Sequence, residues 1–208
     1  MMKRLIAVSV LTAGVVVFSV VAMMPSRPVK SKARPMAALA QTYIAVEAGP
    51  PVQVPRLIAD DGSVLAPERL RGHWSVIFVG FTACPMVCPK TLSILAAVAR
   101  NPESGVASGA MLPVFVSIDP EQDTPARIRE YLGHFDHRIL GITGTREAID
   151  TFNAEIGAGS KSVGSGIDHS TSLFVLDPEG RLAGILLRPS DPLRIVADLK
   201  EIRSRPGR

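Results

Sequence analysis

The sequence predicts an α/β domain, a central mixed sheet flanked by helices, behind an N-terminal transmembrane helix. Three features predict it. Leu5 to Met24 is an uncharged run of 20 residues, long enough as a helix to span about 30 Å of hydrocarbon. Farther on, continuous apolar runs rich in β-branched and aromatic residues alternate with segments of helical periodicity. The chain is 208 residues long and 47% hydrophobic, which suits one domain with a real core plus a tail.

Composition narrows the class. Two cysteines are too few to staple a small secreted scaffold, so the core must hold the fold. Charged residues make up 20%, and 17 Gly and 17 Pro occur without periodicity, which excludes overall disorder, collagen and coiled coil. The net charge of +4 is misleading. Lys3, Arg4, Arg27, Lys30, Lys32 and Arg34 flank the apolar run, and no acid lies among residues 1–34. Outside that segment acids outnumber bases, so the positive charge reads as membrane-flanking and a nucleic-acid partner is not expected. Residues 1–24 are expected to be an uncleaved signal anchor, because the run exceeds the apolar stretch of a cleaved signal peptide. Residues 25–51, with Pro25, Pro28, Pro35, Pro50 and Pro51, read as a flexible tether. The soluble domain is then 52–208.

Within it, Arg56–Ala59 and Ser63–Leu65 flank Asp60-Asp61-Gly62 and predict a hairpin. Ser75–Phe81 reads as a buried strand and Thr91–Arg100 as a helix, with Leu92, Leu95, Ala96 and Ala99 on one face. Leu112–Ile118 is a second buried strand. Thr124–Phe135 is a helix with Pro125 in its first turn and Ile128, Tyr131, Leu132 and Phe135 on one side. Arg138–Ile142 reads as a short strand and Thr145–Ile156 as a helix. Ser172–Leu176 and Leu182–Leu187 flank the turn Asp177-Pro178-Glu179-Gly180, and Pro192–Ile202 closes the chain as a helix. This order, a β-α-β unit followed by a hairpin and a helix, is the thioredoxin-like pattern. In such sheets ligands gather at the carboxyl ends of the parallel strands.

Gly80-Phe81-Thr82-Ala83-Cys84-Pro85-Met86-Val87-Cys88-Pro89-Lys90 stands at that position. Pro89 suits the first helical position, which puts Cys88 near the N-cap, where amide groups and the helix dipole lower a thiol's pKa. The spacing permits a disulfide or a shared metal. Two thiolates suit Cu(I), and an added imidazole gives a set that also holds Cu(II). Such a pair needs a compartment outside the reducing cytosol. That chemistry, together with Lys3 and Arg4, places the N-terminus inside and the domain on the extracytoplasmic side, although the charge after the span argues the other way.

Gly80-Phe81-Thr82 with Cys84-Pro85-Met86-Val87-Cys88-Pro89 resembles the Sco/SenC family of thioredoxin-like copper proteins. Ser117-Ile118-Asp119-Pro120-Glu121-Gln122-Asp123-Thr124-Pro125 is similar to that family's second signature, and Asp168-His169-Ser170 to its third; the resemblance covers about residues 52–205. It implies copper, Cu(I) or Cu(II), held by Cys84, Cys88 and His169, with Asp119, Asp123 and Asp168 around the site. It also implies a membrane-anchored metallochaperone, periplasmic in a bacterium. Such a protein helps assemble the CuA centre in subunit II of cytochrome c oxidase, with other copper chaperones or thioredoxin-like reductants as further partners. The alternative is an extracytoplasmic thiol-disulfide oxidoreductase using the redox-active pair Cys84 and Cys88; the metallochaperone reading has no catalytic residue.

Other candidates rank lower. Met86 is a soft thioether, placed behind His169 as a ligand. His134 and His137 read as solvated helix-end residues and His73 as a loop residue. Asp123 or Thr124 is expected to cap the following helix. Gly157 to Gly166 is Gly/Ser-rich and reads as a mobile loop before His169. No phosphate loop, serine triad or hydrolase carboxylate pair is present.

Overall fold

Alternating burial along two central strands sets the architecture. Val76 and Phe78 turn to one face of the sheet, Ile77 and Val79 to the other, and all four are 2% exposed or less. A strand buried on both faces needs cover on both sides, and helices supply it. The structure, a computed structural model, describes residues 42–47, 49–159, 161–163, 166–168 and 171–204.

The strands are β1 (Thr42–Ala45), β2 (Leu57–Ala59), β3 (Trp74–Gly80), β4 (Met111–Ser117), β5 (Leu140–Gly144), β6 (Lys161–Val163), β7 (Gly166–Asp168), β8 (Leu173–Leu176) and β9 (Leu182–Leu187). The helices are α1 (Val87–Arg100), α2 (Pro125–Gly133), α3 (Arg146–Glu155) and α4 (Pro192–Ser204). The main sheet has the order β1-β9-β8-β3-β4-β5-β2. Strands β3, β4 and β5 are parallel, while β8, β9, β1 and β2 join antiparallel. This is the mixed, thioredoxin-like sheet that the sequence predicts.

One face packs Val76, Phe78, Phe115 and Val175 against Leu92 and Leu95 of α1, Ile128 and Leu132 of α2, and Ile195 and Leu199 of α4. The other packs Ile77, Val79, Val114 and Val116 against Ile149 and Phe152 of α3. Both cysteines belong to the first cluster.

The structure departs from the sequence reading in four places. Thr42–Ala45, expected within the tether, pairs as an edge strand with β9 in the register Thr42↔Leu187 to Ala45↔Gly184. The 56–65 hairpin closes on the antiparallel bridge Ile58↔Val64, with the Ala59 N–H donating to the Ser63 carbonyl and the Leu65 N–H to the Leu57 carbonyl, both at 2.9 Å, but its first strand also pairs with β5, in the register Leu57↔Gly144 that the sequence does not reveal. The Gly/Ser stretch carries the β6–β7 hairpin, with Lys161 opposite Asp168. Helix α1 starts at Val87, four residues before Thr91.

Among the described residues no helix is long and apolar enough to cross a membrane. The expected anchor at Leu5–Met24, the tether before Thr42 and His169 lie outside them.

Candidate metal centre

Parallel pairing brings the carboxyl ends of β3 and β4 together, with Gly80 opposite Ser117. The Ile118 N–H donates to the Gly80 carbonyl at 2.9 Å and continues the ladder one residue past the strands. The cysteine loop leaves β3 here and the Asp119–Thr124 turn leaves β4, so the two motifs meet at one edge of the sheet.

Met86 is the N-cap of α1. Cys88 is therefore the second helical residue and Pro89 the third, not the first. Proline is tolerated there because the first four helical N–H groups have no partner within the helix. The shift moves the helix terminus onto the other cysteine. The Cys88 N–H donates to Cys84 Sγ at 3.5 Å. Burial pushes the Cys84 thiol up, but hydrogen bonds from the Cys88 backbone and side chain and from the Met86 and Val87 amides outweigh it and hold it below its ordinary value. These donors stabilise a thiolate.

Cys88 behaves oppositely and corrects the expectation of a lowered thiol. Burial pushes it to about 12; the Phe81 amide pulls down, while Cys84 and Asp123 add to the rise. It is 0% exposed, against 7% for Cys84. A Cβ at Gly80 would lie 2.8 Å from Cys88 Sγ and 3.2–3.3 Å from the Phe78 and Phe115 rings. Glycine is needed there to leave room for the sulfur.

The asymmetry predicts selective chemistry. Only the thiolate is alkylated. As pH rises, Cys84 ionises below the ordinary thiol value and Cys88 stays protonated until about 12. In the folded, reduced protein at neutral pH, iodoacetamide should modify Cys84 and spare Cys88; peptide mapping that finds Cys88 modified first would contradict this.

Asp123 fastens the two motifs. It is 1% exposed. Its carboxylate accepts the Thr82 N–H at 2.9 Å, the Thr82 hydroxyl, and the Ser117 hydroxyl at 2.5 Å. Arg127 Nε donates to Thr82 Oγ1 at 2.9 Å from the solvent side. The cap of α2 is Thr124, whose hydroxyl accepts the Arg127 N–H, so Asp123 anchors the cysteine loop instead of capping. Asp119 closes the turn through its backbone. Its carbonyl accepts the Asp123 N–H at 2.8 Å and its N–H donates to Ser117 Oγ at 3.1 Å.

Met86 is 76% exposed. His134 is an exposed C-cap residue of α2, with Nδ1 3.3 Å from the Tyr131 carbonyl; His137 is also exposed. Among the described residues no group of three or more His, Cys, Asp or Glu is placed to hold a metal. The structure thus brings Cys84 and Cys88 together and ties Asp123 to the same loop through Thr82, while Asp119 stands in the adjoining turn. Asp168 ends β7, and His169 follows it in sequence outside the described residues.

Sequence reasoning missed Thr82 and Ser117 as anchors, and Tyr131 as part of an aromatic wall with Phe115 and Phe135. Thr82 and Ser117 stood inside quoted motifs, but nothing in their spacing says that one carboxylate joins them. Tyr131 was legible only as one residue of an apolar helix face.

A family model described as SCO1/SenC matches residues 53–204. The SCO2-like protein of Rickettsia felis is 30% identical over 151 residues, which cover 69% of this chain and 73% of that protein. The crystal structure of Arabidopsis thaliana ScoI with copper bound is similar at a TM-score of 0.65 and 31% identity, covering 77% of this chain and 100% of that one. Bradyrhizobium japonicum ScoI with copper bound gives 0.63 and 29%, covering 76% and 99%.

Proposed function

This chain belongs to the SCO1/SenC family, and on that premise we propose that it is a membrane-anchored copper metallochaperone. Copper, as cargo, is held by Cys84, Cys88 and His169 and passed on to the CuA centre in subunit II of cytochrome c oxidase. The anchor is Leu5–Met24, and the domain stands outside the cytoplasm.

The observation that carries this reading is the pair of sulfurs at one helix start, Cys84 held below its ordinary thiol value and Cys88 buried beside it. The site fits a soft monovalent cation. Gly80 leaves the Cys88 sulfur its space, and the amides around Cys84 stabilise the negative charge that a ligand thiolate needs. Relatives of similar fold are known with copper bound. Cys84 and Cys88 offer two thiolates, and His169, next to β7 in sequence, is the proposed third donor. Copper loading displaces the two thiol protons. Release needs an incoming thiolate from the recipient, which a three-donor site admits without prior dissociation.

The test is a Cu(I) titration of the full-length chain with the cysteines reduced or oxidised to the disulfide. The expected result is one copper per reduced chain and none on the oxidised chain. Equal binding in both states would overturn the proposal.

The same asymmetry favours a second reading, thiol-disulfide exchange. The Cys84 thiolate attacks a partner disulfide, forms a mixed disulfide and releases one partner thiolate. Cys88 then gives up its proton and attacks Cys84 Sγ, releasing the second. The partner is reduced and this pair oxidised, and a thioredoxin-like reductant returns it to the dithiol.

A further inference from the structure

Three sulfurs stand at alternate positions of the loop that leaves β3: Cys84, Met86 and Cys88. They are graded by depth. Cys88 is 0% exposed, Cys84 7% and Met86 76%. Packing does not account for Met86, whose side chain lies outside the core. Capping does not either: it is the N-cap residue of α1 with no side-chain cap, at a position where Ser, Thr, Asp or Asn is strongly preferred.

The backbone ties this residue to the thiols. The Met86 amide is one of the donors to Cys84, and the Cys88 N–H is another, at 3.5 Å. Met86 is two residues from each cysteine, so its Cα lies within about 7 Å of theirs. An unbranched side chain with three rotatable bonds can swing between solvent and the cysteine rim. The rest of the loop offers no rival donor. Ala83, Pro85 and Val87 are exposed but carry no side-chain lone pair, and Lys90 is a cation. The other described methionine, Met111, is 3% exposed at the start of β4, the opposite end of the sheet.

A thioether is a soft, neutral donor that suits Cu(I) and gives up no proton to bind it. We propose that Met86 Sδ is the entry donor of the site, taking Cu(I) from a small thiol complex at the surface and handing it inward to Cys84. This rests on the copper reading above and adds the route by which the metal arrives. In the first step an Sδ lone pair bonds the metal as one bond to the carrier sulfur breaks. In the second, Cys84 Sγ replaces Sδ and its thiol proton passes to solvent. The metal stays Cu(I), and no electron moves.

The test is Met86→Leu in the reduced, full-length chain, which keeps size and apolarity and removes the sulfur. The thermal midpoint should not move, because the side chain is outside the core. Mixed with Cu(I)–glutathione in a stopped-flow cell, the variant should load about tenfold more slowly than the parent, with a smaller change in affinity at equilibrium. In the parent, isotope-labelled at its methionine methyl groups, half-saturating Cu(I) should shift or broaden the Met86 resonance and leave Met111 in place. The Met86 resonance is assigned by its absence from the variant. Loading of the variant at the parental rate, or a Met86 resonance that stays put while copper binds, would overturn the inference. A parent that takes up no Cu(I) would defeat the copper function instead. Entry is then read with Ag(I), a soft cation that thiolates and thioethers both bind, on the same rate and the same resonance.

Discussion

Cys84→Ser should abolish tight Cu(I) binding and disulfide exchange together, and leave the fold nearly intact. Serine is close in size and Cys84 lies at the rim, 7% exposed, so the thermal midpoint should move little. The chemistry cannot survive. The amides of Cys88, Met86 and Val87 stabilise a negative sulfur, but a serine hydroxyl does not ionise there and its oxygen is a hard donor unsuited to Cu(I). Losing an outer partner of a ligand typically weakens metal binding about 10–100-fold, and losing the ligand itself should exceed that. Copper titration and an insulin-type disulfide assay on one preparation check both. Tight Cu(I) binding by the variant would move the site elsewhere. Cys88→Ser gives the contrast: it should also lose stability, because its hydroxyl would sit in a fully buried position against Phe78 and Phe115.

Asp123→Ala should produce the largest loss of stability near the site. The carboxylate satisfies one backbone N–H and two hydroxyls. Removing it leaves the Thr82 amide and the Ser117 hydroxyl without that acceptor, at a cost of about 3 kcal/mol. For a chain of this size that is roughly a 6–12 °C fall in the unfolding midpoint. Metal affinity should also fall about 10–100-fold, because Thr82 is two residues before Cys84 and its anchor fixes where the loop leaves β3. Asp123→Asn should lie between the two, since its amide oxygen still accepts while its NH2 faces donors. Thermal unfolding with copper titration measures both effects; an alanine variant with parental stability would contradict the anchoring role.

Both predictions show how far the residues alone carried. The core strands β3, β4, β8 and β9 were legible because each is an apolar run buried on at least one face, and buried runs leave a continuous signal. Helix α2 was legible from the Thr124 cap, Pro125 and the Ile128–Leu132 spacing. Strand β1 was not: Thr42–Ala45 is four residues long, and only the unpaired edge of β9 makes it a strand. The partner of β2 was hidden for the same reason, since a three-residue segment takes its pairing from the distant β5. At the site, the cysteine pair was legible as a motif and its inequality was not. Pro89 suggested a helix starting at the second cysteine, yet the chain turns helical at Val87, and the terminal amides fall to Cys84. Which sulfur is cradled and which is buried depends on one helical turn packed against Gly80 and Phe115, and no local spacing records that contact.

In the proposed site two sulfurs and one imidazole share a single copper ion. Copper competition titration of reduced His169→Ala beside the parent isolates the imidazole. Affinity should fall by orders of magnitude while disulfide exchange through Cys84 and Cys88 continues at close to the parental rate. A His169→Ala chain that binds copper as tightly as the parent would contradict it.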